Sequence, residues 1–228
     1  MAVSAHGSLY VRLIRWAFAR FYQEFAWAYD TVAALVSAGQ WHNWTLTALE
    51  FVHGATLELG CGTGHAQLAL AQRRAGLTIG LDRSPQMIRL TRRRLQRSGF
   101  LTPLVRADAR ALPFISDSFD TIIATFPSDY IAADETIAEI RRVLRPGGTV
   151  AIALWARFAG DSPYARLVDV AYRATLQRSP RPAAPAPSAA LQRFGVLFER
   201  VGIKASFKEV TTSGGVVQYV LGTRQVSQ

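Results

Sequence analysis

Glycines recur at alternate positions in Gly60-Cys61-Gly62-Thr63-Gly64, directly after the apolar segment Leu57-Glu58-Leu59. Such a run lets the backbone turn sharply and lets a ligand approach atoms that a Cβ would shield. A helical segment follows from His65, and the free N–H groups of a helix N-terminus suit an anionic or carboxylate-bearing ligand. About twenty residues on, a second apolar stretch ends in Asp82, where a carboxylate is placed to accept from ribose hydroxyls. Glu58 and Asp82 lie in or beside apolar segments, where an unpaired charge is costly, and this favours ligand binding over a surface role for both. The spacing is G-x-G-x-G, not the G-x-G-x-x-G of dinucleotide-binding turns.

The elements that must hold these residues alternate. Strands are expected at Ala55–Leu59, Leu77–Asp82, Leu101–Arg106, Thr121–Thr125 and Thr149–Trp155, and helices at Ala66–Ala75, Pro85–Arg97 and Thr136–Leu144. Ser84-Pro85 supplies an N-cap and a proline at the first helical position. Pro146-Gly147-Gly148 stops the last of these helices and turns the chain. Strict alternation predicts an α/β fold with a parallel, doubly wound sheet. The regularity then breaks over residues 157–190. That insertion holds a helix at Tyr164–Leu176 and a proline- and alanine-rich connector at Ser179–Pro187, which cannot be helix or central strand. Ser188 caps a helix running to Val201. Ile203–Thr211 and Val216–Gly222 read as strands joined by a turn around Gly214-Gly215.

Ahead of the glycine turn, Leu9–Ala38 reads as a helix with Ile14, Phe18, Phe21 and Phe25 on one face and Arg12, Arg15, Arg20 and Gln23 on the other. Trp41-His42-Asn43-Trp44 leads into a second helix that ends before Gly54. The chain thus divides into a helical cap at 1–53 and an α/β domain at 54–228.

A chain of 228 residues that is 50% hydrophobic suits one such domain with a modest addition. The net charge is +10, carried almost entirely by arginine, which admits nucleic acid, an anionic membrane surface or an acidic substrate. Cys61 is the single cysteine. No disulfide framework is possible, and a reducing compartment is expected. With no base near it in sequence, Cys61 reads as a small loop residue rather than a nucleophile. No secretory leader and no uncharged stretch long enough to cross a bilayer are visible, so the cytoplasm is the expected location. No zinc-type ligand spacing is present, and no metal is expected.

Glu58-x-Gly60-x-Gly62-x-Gly64 resembles motif I of the class I S-adenosylmethionine-dependent methyltransferases. Three later segments resemble the same family: Arg106-Ala107-Asp108-Ala109-Arg110-Ala111-Leu112-Pro113-Phe114 after the third strand, Ser118-Phe119-Asp120 before the fourth, and Leu144-Arg145-Pro146-Gly147-Gly148-Thr149-Val150 before the fifth. The likeness covers residues 56–154 and is nearest to the small-molecule branch that includes the ubiquinone/menaquinone biosynthesis methyltransferases. It implies a Rossmann-like, seven-stranded, mostly parallel sheet with a C-terminal antiparallel hairpin and an N-terminal helical lid. It also implies S-adenosylmethionine as cofactor and S-adenosylhomocysteine as product. On that likeness Glu58, Gly60, Cys61, Gly62 and Gly64 form the floor under the methionine part, and Asp82 takes the ribose hydroxyls. Arg83 flanks the adenine, whose edge meets Asp108 and Ala109. Thr125 and Phe126 end the fourth strand beside the methyl donor, and Tyr22 and Tyr29 belong to a helix that closes over the cofactor.

Methyl transfer is an in-line displacement, so alignment is the protein's main task. A base is needed only where the acceptor keeps its proton. His65, Asp129 and Tyr130, with His42 and Arg157, are the candidates by position; His65 reads better as a residue packed near the cofactor carboxylate than as a base. Phe126-Pro127-Ser128-Asp129-Tyr130 lacks the Asp/Asn-Pro-Pro-aromatic pattern of amino-methylating DNA enzymes. The expected substrate is a small, partly apolar or lipid-like acceptor, and the N-terminal helix either touches a membrane surface or serves as a lid. Two alternatives stand beside it. One is a nucleic-acid substrate, with Arg89, Arg92, Arg93, Arg94 and Arg97 on one helix. The other is a non-catalytic subunit that binds the cofactor.

Overall fold

A computed structural model describes residues 37–158 and 189–226. Of the expected helix Leu9–Ala38, residues 9–36 with Tyr22 and Tyr29 lie outside the described residues, as do the helix Tyr164–Leu176, the connector Ser179–Pro187 and the Ser188 cap; Ser37 and Ala38 form a turn rather than helix, with φ +49° at Ala38.

The chain enters through α1 (Trp41–Leu46) and a short 3-10 turn (Thr47–Phe51). It continues as β1 (Thr56–Leu59), α2 (His65–Gln72), β2 (Thr78–Asp82), α3 (Pro85–Arg97), β3 (Leu104–Arg106) and β4 (Phe119–Thr125). A 3-10 turn (Asp129–Ala132), α4 (Asp134–Val143), β5 (Leu144–Phe158), α5 (Ala189–Arg200), β6 (Ile203–Thr212) and β7 (Gly215–Arg224) complete it. The seven strands form one sheet in the order β3-β2-β1-β4-β5-β7-β6. β1 to β5 pair in parallel, and β7 runs antiparallel between β5 and β6. The strand order reverses between β1 and β4, and ligands of open α/β sheets bind at such a switch point, beyond the carboxyl ends of the strands.

All four residues of β1 are buried, as a central parallel strand covered on both faces requires. The sheet separates two apolar layers. One gathers Leu57, Leu59, Ile122, Ile137, Ile140, Phe194 and Phe198 under α4 and α5. The other gathers Trp44, Ala48, Leu49, Ala66, Leu70, Ile123, Ala153, Val217 and Tyr219 under α1, the first 3-10 turn and α2. Adjacent Ile122 and Ile123 fall in different layers because β side chains alternate. In α3, Met87, Ile88, Thr91 and Leu95 are buried while Arg89, Arg92, Arg93 and Arg97 face solvent. Ser84 Oγ accepts from the Met87 N–H at 3.3 Å, with Pro85 at the first helical position, as its sequence indicates.

Several element ends differ from the sequence reading. β3 starts at Leu104, not Leu101. Leu101 is exposed, and Pro103 contributes only its carbonyl, which accepts from Gly80 N at 3.0 Å. α2 stops at Gln72 because Arg74 and Gly76 adopt left-handed backbone. β4 begins two residues early, at Phe119. Arg145, Pro146 and Gly147 do not form a separate turn. They bulge from the start of a longer β5, between the pairs Phe119–Leu144 and Thr121–Thr149. The hairpin strands also extend further, to Thr212 and from Gly215 to Arg224. No helix among the described residues is long and apolar enough to cross a membrane.

Candidate cofactor site

β1 ends in a turn whose three glycines all have positive φ: +73° at Gly60, +53° at Gly62 and +84° at Gly64. L-residues with a side chain avoid this region. Packing adds a second constraint at two of them. A Cβ on Gly60 would lie 2.5 Å from the Tyr130 hydroxyl, and one on Gly64 would lie 2.6 Å from Thr91 Cγ2. Gly64 also caps α2, so the chain passes from a left-handed residue straight into helix.

Asp82, at the end of β2, accepts from the N–H of Gly62 at 3.0 Å and from that of Ser84 at 2.8 Å. One carboxylate therefore ties the glycine turn to the start of α3. Burial raises its pKa above the ordinary value, against the two backbone N–H bonds, which lower it. Each oxygen keeps a lone pair for a further donor. The turn gains more support from α3: Thr91 Oγ1 donates to the Gly62 carbonyl at 2.7 Å, and Arg94 donates to the Thr63 carbonyl at 2.6 Å.

Glu58 is 1% exposed. Its Oε2 accepts from Gln67 Nε2 of α2 at 2.8 Å. Burial pushes its pKa up to about 7, offset in part by that hydrogen bond and reinforced by Asp82. The Oε1 of Gln67, whose side chain packs against Gly80 of β2, is buried with no hydrogen-bond partner among the described residues. Cys61 turns its thiol inward, 3.9 Å from Thr91 Oγ1, and burial raises its pKa well above the usual thiol range. It is a packed loop residue, not a nucleophile.

Asp108 follows β3. Its Oδ1 accepts from Arg110 N at 3.0 Å, and its Oδ2 lies 3.8 Å from the exposed guanidinium of Arg83. Ala109 is buried next to it. β1, β2 and β3 are parallel neighbours, so the glycine turn, Asp82 and Asp108 share one end of the sheet.

The end of β4 carries a different kind of surface. Thr125 closes the strand, and Phe126 takes a left-handed φ of +49°, its N–H held by the Ala153 carbonyl at 2.8 Å. A bulky residue in that conformation stores roughly 1–3 kcal/mol of strain, and such strain collects at functional sites. The Phe126 ring meets Trp41 of α1 at 4.7 Å between centroids. Tyr130 donates from its hydroxyl to the Leu59 carbonyl at 3.2 Å. Burial and the carboxylates of Asp82 and Glu58 move its pKa further above the normal phenol value, so it holds its proton. His65, the first residue of α2, places Nδ1 3.1 Å from Nδ1 of His42. Asp129 is exposed in the second 3-10 turn, and Arg157 lies far along β5, paired with Glu209 at 3.1 Å.

Sequence reasoning missed Gln67 and Thr91, gave Trp41 no role at the site, and grouped Arg94 with the exposed arginines of α3, whereas it holds the glycine turn at Thr63. Thr91 carried a signal, being a polar residue on the buried side of the amphipathic α3, whereas α2 has no marked polar and apolar faces to single out Gln67. Trp41 reaches Phe126 only through the fold.

The donor set fits an adenosyl ligand: a glycine cradle that a Cβ would fill, a carboxylate at the end of β2, and another after β3. Residues 56–148 match the family model of the methyltransferase domain. A demethylmenaquinone methyltransferase of Thermus thermophilus is 32% identical over 137 residues, which cover 58% of this chain and 62% of that protein. A ubiquinone/menaquinone biosynthesis C-methyltransferase of Bordetella avium is 33% identical over 138 residues, 58% of this chain and 54% of that one. The chain thus spans little more than half the length of these relatives. An S-adenosylmethionine-dependent methyltransferase of Methanosarcina mazei shares the fold, with a TM-score of 0.52 at 17% identity over 77% of this chain and 94% of that chain. Residues 56–148, which hold the glycine turn and its two downstream carboxylates, thus match the methyltransferase domain, and the seven-stranded sheet around them has the fold of an S-adenosylmethionine-dependent methyltransferase.

Proposed function

We propose that the chain transfers a methyl group from S-adenosylmethionine to a small, partly apolar acceptor. The observation that carries this reading is the convergence of three left-handed glycines, Asp82 and Asp108 on one end of the sheet. Asp82 would accept from the ribose hydroxyls with the lone pairs left over from Gly62 and Ser84. Asp108 and Ala109 would border the adenine, with Arg83 flanking it. The glycine turn would lie under the methionine part. The cofactor, when bound, supplies a methyl group on a sulfonium. The protein's work is to align that group with the acceptor and exclude water.

Two observations support a partly apolar acceptor. Trp41 and Phe126 form an aromatic wall beside the end of β4, and the relatives above are named for quinone biosynthesis. A quinone-like ring on an apolar tail suits such a wall. Where the acceptor carries a proton, His65 with His42 is a better base than Tyr130, whose phenol stays protonated. Residues 1–53, with Tyr22 and Tyr29, form the cap over this side in our reading, and the single, buried thiol suits a cytoplasmic setting.

Isotopically labelled S-adenosylmethionine incubated with the protein and host lipid extracts tests the reading. Label should enter an extractable ring-bearing lipid, and calorimetry should show S-adenosylhomocysteine binding. Folded protein that binds neither S-adenosylmethionine nor S-adenosylhomocysteine would overturn it.

A further inference from the structure

The end of the sheet opposite the cofactor site has a surface of its own. Six large hydrophobic residues are exposed among the described residues, and four of them lie at this end: Leu101 (89% exposed), Ile115 (83%), Val226 (68%) and Leu77 (55%). Topology puts them there. Leu77 precedes β2, Leu101 precedes β3, Ile115 precedes β4, and Val226 follows β7, which runs antiparallel to β5. With the strand order β3-β2-β1-β4-β5-β7, the row extends roughly 24 Å at the usual strand spacing.

Two of the tips are built alike. Arg73 and Arg74 lead through Gly76 (φ +79°) to Leu77, and Arg97 leads through Gly99 (φ +78°) to Leu101. Each sets an exposed leucine just past exposed arginine. The charge at this end is one-sided. Asp117, Asp120 and Glu139 are each held by an arginine, namely Arg224, Arg145 and Arg142. Arg73, Arg74, Arg97, Arg200 and Lys204 are exposed and form no ion pair among the described residues. Glu199, beside Arg200, is the one acid of this end outside those pairs. The exposed Arg89, Arg92 and Arg93 of α3 extend the basic surface upward from Arg97.

We infer that this end of the sheet docks on an anionic lipid surface. Projecting aliphatic side chains gain free energy by entering the acyl boundary, and unpaired arginines beside them gain it from anionic headgroups. A phosphate backbone would use the arginines but gain nothing from four separate aliphatic tips. The cofactor end then faces away from the bilayer. The contact keeps the protein at the membrane, where lipid-like molecules are concentrated, and it does not form the acceptor pocket. It stands independently of the proposed reaction.

Vesicle flotation with the full chain tests the inference, using phosphatidylcholine alone and an equimolar mixture with phosphatidylglycerol. The protein should float with the mixture only, and less in high salt. The triple variants Leu77→Ser/Leu101→Ser/Ile115→Ser and Arg73→Gln/Arg74→Gln/Arg97→Gln should each weaken flotation about tenfold or more. All these sites are exposed, so circular dichroism and S-adenosylhomocysteine affinity should match the wild type. Three results would overturn the inference: no flotation of the wild type with the mixture, flotation unchanged in both variants, or binding to an RNA duplex that the arginine variant loses while the aliphatic variant keeps it and neither form floats.

Discussion

Gln67 donates to Glu58 across 2.8 Å of buried space while its own Oε1 has no partner among the described residues. Burial pushes the pKa of that carboxyl up to about 7, against the Gln67 hydrogen bond, so it carries its proton below that pH. A raised carboxyl pKa contributes stability that is full below the unfolded value of 4.5 and lost as pH rises through 7. The loss over that window is on the order of 3 kcal/mol. Urea unfolding of the ligand-free protein at pH 5 and pH 8 should show the wild type losing far more stability than Glu58→Gln. Parallel pH dependence in the two proteins would remove Glu58 as the cause.

Asp82 uses one oxygen for Gly62 and the other for Ser84. Asparagine keeps one acceptor and turns an N–H₂ group toward the remaining N–H. Asp82→Asn should cost about 1–3 kcal/mol of stability and weaken S-adenosylhomocysteine binding by tenfold or more. Calorimetry measures the affinity. Full affinity in a loosened protein would mean that the carboxylate serves the turn alone.

Gly64 combines a φ of +84° with a Cβ direction that ends 2.6 Å from Thr91 Cγ2 and 3.0 Å from Thr91 Cα. The second contact is backbone and cannot swing aside. Gly64→Ala should lower stability by roughly 2–4 kcal/mol, visible in denaturant unfolding. Gly62→Ala meets nothing closer than 3.9 Å and should cost only the backbone term, about 1–2 kcal/mol. Equal losses would show that crowding at Thr91 does not matter.

Much of this architecture was legible in local chemistry. Ser84-Pro85 marked the start of α3, and the alternation of apolar and amphipathic segments marked the sheet. Leu101 misled because an apolar residue before a strand reads as strand, whereas here it projects into solvent and Pro103 limits the ladder. The bulge at Arg145–Gly147 read as a turn because proline and glycine carry the same local signal in both settings. Pairings such as Trp41 with Phe126 and Tyr130 with Leu59 depend on which loops meet above β1 and β4. No local pattern encodes that.

The Tyr130 hydroxyl sits where a Cβ on Gly60 would point, at 2.5 Å, while the ring carbon behind it is 3.6 Å away. Tyr130→Phe removes one hydrogen bond to Leu59, which costs about 0.5–1.5 kcal/mol. It also opens the space that Gly60→Ala needs. Gly60→Ala should therefore be less destabilising in the Tyr130→Phe background than in the wild type, by about 1 kcal/mol, although the left-handed strain at φ +73° remains in both. A double-mutant cycle by urea unfolding measures the coupling. The single Tyr130→Phe variant should keep methyl transfer within several-fold and leave its pH profile unshifted, because a phenol held protonated is no base at neutral pH. Loss of turnover with intact S-adenosylhomocysteine affinity would instead place that hydroxyl in contact with the reacting groups.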